Sequence, residues 1–84
     1  MSSSEKTAEQ RIRETIVRAL GTAPPDSSTP LRMGSSPGWD SMGHMTVVME
    51  LEKEFKVRFP PYRLPEMVDI PSIVNTLRSS GVDV

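Results

Sequence analysis

Eighty-four residues, 36% of them hydrophobic and 25% charged with a net charge of −1, make one small domain with a modest core. The absence of cysteine excludes disulfides and thiolate zinc sites and fits a reducing, cytoplasmic setting, and the scattered basic residues leave no footprint for nucleic acid. With a single histidine the chain is expected to hold no metal and to be no enzyme in its own right.

The opening MSSSEKTAEQ has no apolar stretch and so reads as a frayed tail over residues 1–4 rather than a signal peptide. From Glu5 onward helix signals begin. Ala8, Ile12, Ile16 and Leu20 recur every four residues, with Val17 and Ala19 beside them and charged residues between. This spacing predicts one amphipathic helix ending near Leu20, with Gly21 as its stop.

Gly21 to Trp39 contains four prolines and four serines with glycines among them, so no regular element persists through it. Leu31, Met33 and Trp39 are expected to pin this long loop across the domain. Asp40 or Ser41 then caps a second helix that runs to about Lys56. VRFPP breaks it, and Pro65 suits the first turn of a very short helix, LPEMV. Asp69 and Pro71 open a last helix with Ile70, Ile73, Val74 and Leu77 on one face, and Gly81 ends it. No alternating strand pattern exists, and the longest apolar run, MTVVM with its threonine counted in, is far too short to cross a bilayer. The expected fold is all-α: a small four-helix bundle of three longer helices and one short one, with a long loop between helices 1 and 2. The domain should cover residues 5–80, with residues 81–84 as a tail, in a monomer without membrane insertion.

The second helix has two apolar faces. On a helical wheel with Met42 at zero, Val47, Val48, Leu51 and Phe55 fall between about 140° and 240°. Met45 and Met49 fall back within about 60° of Met42. The two sets cannot both face one core. The methionine strip therefore either packs under the loop or the short helix, or serves as a docking surface, for which unbranched, polarisable side chains are suited. His44 lies on the core side, as a satisfied half-buried residue or as a residue at the mouth of a cleft. Ser41 sits where unsatisfied backbone amides favour anions. It could cap the helix or carry a phosphate there.

GWDSMGHM followed by TVVMELEKEFKVRFP resembles the acyl carrier protein family. The matching pieces are Asp40, Ser41 and Met42 at the start of the second helix, then Val47, Val48 and Leu51, then Glu52, Glu54 and Phe55, then the exit Val57, Phe59 and Pro60. The resemblance runs from about Ile12 to Leu77. It implies that a phosphopantetheinyl transferase, using coenzyme A and a divalent metal, attaches 4′-phosphopantetheine to Ser41. Asp40 would flank the site and contact the metal during modification. The arm's thiol would carry acyl groups as thioesters between acyl-loading and acyl-transferring enzymes, so the carrier needs no cysteine or triad of its own. Met42, Met45, Met49, Glu50 and Glu52 match positions that contact partner enzymes. Val47, Leu51, Phe55, Ile73 and Leu77 would line a cleft for the acyl chain.

Several residues depart from the strongly acidic family pattern. Gly43 and His44 follow the serine, and Lys53, Lys56 and Arg58 add positive charge. Gly43 should weaken the helix's first turn by about 1 kcal/mol relative to alanine and leave it mobile. WDSMGHM resembles discrete carriers of specialised lipid or polyketide-type pathways more than the carrier of general fatty acid biosynthesis. Two other readings remain open here: a carrier of aminoacyl or peptidyl groups, and an unmodified helical interaction module.

Overall fold

The computed structural model describes residues 7–21 and 30–82. Among them are four helices and no strand, in the expected order. Helix α1 spans Ala8–Leu20. Thr7 caps it: its hydroxyl accepts from Gln10 N at 3.1 Å while Gln10 Oε1 accepts from Thr7 N at 2.9 Å, so two orphan amides are satisfied reciprocally. Glu5 and the tail before it lie outside the described residues. Gly21 ends the helix in the left-handed region (φ 73°), a conformation glycine adopts without a Cβ penalty.

Helix α2 spans Ser41–Phe55 and is capped by the Asp40 carboxylate. It turns His44, Val47, Val48, Leu51 and Phe55 into the interior, which is the predicted core stripe. Lys56 closes it in the left-handed region (φ 56°), and the Glu52 carboxylate accepts from Phe59 N at 2.9 Å. That bond folds the chain back so that Phe59 is buried.

The short helix differs from the expectation. It is a 3₁₀ helix over Pro61–Glu66, with Pro61 rather than Pro65 in its first turn. Buried Phe59 and buried Met67 anchor the two ends of this segment, and their burial places the turn earlier than the LPEMV pattern suggests. Helix α3 spans Ile70–Ser79, with Asp69 and Ser72 forming its capping box. Hydrogen bonds from the Ser72 hydroxyl and amide, with a contribution from Arg32, hold the Asp69 carboxyl below its ordinary pKa despite partial burial.

Ile12, Ile16, Leu51, Val47, Ile73, Leu77 and Met67 form the innermost layer. Helix α1 packs most extensively on α2. The seam is edged by Arg11–Glu54 at 3.3 Å and by Arg18 at 3.7 Å from both Glu50 and Glu54, and the Arg11 guanidinium lies 4.4 Å from the Phe55 ring centroid. The described part of the loop is ordered as expected: Leu31 and Trp39 are buried and Met33 packs on the core. Met33 N donates to Val68 O at 2.8 Å, and Arg32 pairs with Asp69 at 3.5 Å, which fastens the loop to the start of α3. At the other end Val82 packs on the core and donates its amide to Leu77 O at 3.0 Å. Among the described residues no helix is long and apolar enough to cross a membrane.

Candidate functional site

The loop meets α2 through a close backbone approach. Gly38 takes a positive φ of 82°, which turns its carbonyl onto the first turn of the helix. A Cβ built on Gly43 would overlap the Gly38 carbonyl oxygen and sit 3.1 Å from its carbonyl carbon and 3.2 Å from Leu20 Cδ2. Only glycine fits at position 43 with the backbone held this way. The expectation that Gly43 loosens the first turn is therefore corrected: its missing side chain lets loop, α1 and α2 come together there.

Trp39 is 1% exposed and His44 6% exposed. The indole N–H donates to His44 Nδ1 at 2.9 Å. With Nδ1 acting as acceptor, the ring proton resides on Nε2, which donates to Leu64 O at 2.8 Å. The two rings lie stacked at 6.1 Å between centroids. Both imidazole nitrogens are thus engaged inside the fold, and His44 clamps the loop and the 3₁₀ helix to α2. It is the satisfied residue rather than one at a cleft mouth, and it offers Ser41 no free base.

The capping alternatives at Asp40 and Ser41 resolve in favour of Asp40, whose Oδ1 accepts from Gly43 N at 2.8 Å and whose carbonyl accepts from His44 N at 2.8 Å. Ser41 occupies the first helical position. It is exposed, and no described residue hydrogen-bonds its hydroxyl. The serine is free because its neighbour does the capping. The first-turn amides of α2 point the positive end of the helix dipole toward this position, so an anionic group esterified to the hydroxyl would be favoured there. Among the described residues no group of acidic, histidine or cysteine side chains could hold a metal ion.

Beyond Ser41 the methionine strip lies in the open. Met42 is 82% exposed, Met45 53% and Met49 54%, so neither the described part of the loop nor the 3₁₀ helix covers it. Glu50 and Glu52 border the strip half-buried. Glu50 is 3.7 Å from Arg18 and 3.5 Å from Lys53, and Glu52 is tied to Phe59 N. Val47, Leu51, Ile73 and Leu77 are fully buried and Phe55 is nearly so, and together they form packed core.

The sequence reading did not foresee the Gly38–Gly43 contact or the Leu64 carbonyl as partner of His44. A glycine in the first turn of an otherwise well-formed helix was the available signal for the first. Nothing local signals the second. A family model described as a phosphopantetheine attachment site matches residues 10–78, a span that runs from the first turn of α1 to the last turn of α3.

Proposed function

The chain belongs to the phosphopantetheine-attachment family of carrier proteins, and from that premise we propose that it carries acyl intermediates as thioesters on an arm joined to Ser41. Membership entails a covalent 4′-phosphopantetheine group, a transferase that installs it, pathway enzymes that load and unload it, and no catalysis by the carrier itself. The arm supplies the thiol that this cysteine-free chain lacks.

The observation that carries the assignment to Ser41 is the division of labour at the start of α2. Asp40 caps the helix through Gly43 N, which leaves the adjacent serine hydroxyl exposed and uncommitted. Its phosphodiester would lie at the helix N-terminus, where the local field favours negative charge. Asp40 is close enough in sequence to help hold the metal that the transferase uses. Because His44 is locked by Trp39 and Leu64, activation of the hydroxyl falls to the transferase. Met42, Met45 and Met49 would meet the partner enzymes, with Glu50 and Glu52 at the margin of that face. The modest net charge of −1 and the basic residues late in α2 favour a specialised lipid or polyketide-type pathway.

The test is modification in vitro. Apo protein incubated with coenzyme A, magnesium and a promiscuous phosphopantetheinyl transferase should gain the mass of one arm on Ser41, and Ser41→Ala should gain nothing. No gain alongside a control carrier that is modified would overturn the assignment. Intact-mass spectrometry of the protein from its native host would then read the cargo.

A further inference from the structure

The surface charge of α2 is not what its composition suggests. The helix holds three glutamates late in its length, yet all three are engaged within the chain. Glu54 pairs with Arg11 and Arg18, Glu50 with Arg18 and Lys53, and Glu52 accepts the Phe59 amide. The cations on the same side are less committed. Lys53 is exposed and reaches only Glu50, at 3.5 Å. Lys56 and Arg58 are exposed and form no ion pair with any described residue. With Met49, Val57 and Glu52, whose carboxylate is held by the Phe59 amide, these three cations line an open groove of about 510 Å³ at the end of the helix.

The face therefore runs from Asp40 and the modified serine, through Met42, Met45 and Met49, to a cationic end. We propose that the partner enzymes of this carrier meet it with an apolar recess for the methionines and carboxylates for Lys53, Lys56 and Arg58. This builds on Ser41 as the attachment point. At 1.5 Å per residue the carboxylates would stand ~18–22 Å from where the arm enters the partner. Charge at the rim of such a dock sets orientation and encounter rate more than affinity, so the cationic end fixes which way the carrier lies on its partner. The docking polarity is opposite to that of a carrier that offers free glutamates to a basic patch.

Two amphipathic helical peptides test this, each with leucines on one face and either glutamates or lysines on the other. They are titrated into the isotopically labelled full-length carrier, whose intact mass is read beforehand. The glutamate peptide should shift the resonances of Met45, Met49, Lys53, Lys56 and Arg58 and should bind more tightly than the lysine peptide, even though the net charge of −1 favours the lysine one. Added salt should weaken it. The combined variant K53E/K56E/R58E should lose about tenfold for the glutamate peptide, as three exposed pairs of modest strength would give. Equal or tighter binding of the lysine peptide, shifts confined to another face, or no shift at this face with either peptide overturns the proposal. The transferase mass gain at Ser41 is a separate readout, so failure of the attachment site and failure of the charge preference are told apart.

Discussion

Replacing Gly43 with alanine should destabilise this protein, although the same change in an ordinary helix stabilises it by about 1 kcal/mol. The added Cβ would overlap the Gly38 carbonyl oxygen, and backbone cannot swing aside as a flexible side chain can. The carbonyl has to retreat by roughly 1 Å to regain an ordinary carbon–oxygen separation. Gly38 adjoins Trp39, which is buried and hydrogen-bonded to His44, so the retreat disturbs a packed indole. It also disturbs the Asp40 cap two residues on. Overpacking of this kind costs about 1–3 kcal/mol, and a weakened cap adds up to about 1 kcal/mol. Set against the propensity gain, the net loss reaches up to about 3 kcal/mol. With a urea slope of about 1 kcal/mol per molar for a small domain, the midpoint should fall by up to about 3 M. The emission of Trp39, the single tryptophan, should shift as its surroundings loosen. An unchanged or raised midpoint would refute the reasoning, because it would mean that the contact yields without cost.

Asp40→Ala should cost about 0.5–2 kcal/mol through loss of the α2 cap, whereas Ser41→Ala should change the urea midpoint by less than about 0.5 kcal/mol equivalent, since the serine makes no structural bond. His44→Ala should lower stability by about 2–4 kcal/mol, because it leaves the buried Trp39 N–H and the Leu64 carbonyl without partners and opens a void, and nitrogen NMR of the wild type should show the proton on Nε2. The Asp69 cap should act as an acid-sensitive element. Its carboxyl is depressed in the folded state, so its contribution is complete above the unfolded value, begins to be lost at about pH 4, and falls away as the pH drops through the folded value. Asp69→Asn should flatten that part of the acid-unfolding curve.

Much of the fold was legible in spacing alone. The fourfold recurrence of Ile12 and Ile16, the breaks at Gly21 and Gly81, and the split of α2 into a core stripe and a methionine strip are local patterns. They report which way side chains point on a helix whatever it packs against. The helix-start residues Asp40 and Ser41 were legible as a pair but not in their roles, since both residue types cap helices. The 3₁₀ helix was misplaced because its position follows from where Phe59 and Met67 bury, which no pattern within residues 61–68 encodes.

The amino-acid sequence by itself determined the helix order, the family resemblance and the serine on which it centres, because those depend on short runs of residues. The tertiary structure alone decided that Asp40 does the capping, that Gly43 is required by the Gly38 carbonyl, that His44 is locked between Trp39 and Leu64, and that the glutamates of α2 are engaged within the chain while Lys56 and Arg58 have no ion-pair partner among the described residues. The last three turn on partners brought in from another element, up to 43 positions away for Arg11 and Glu54, whereas the Asp40 cap is settled by the Gly43 amide three residues on. Whether a charge or a hydroxyl is free depends on which partners reach it, and folding settles that.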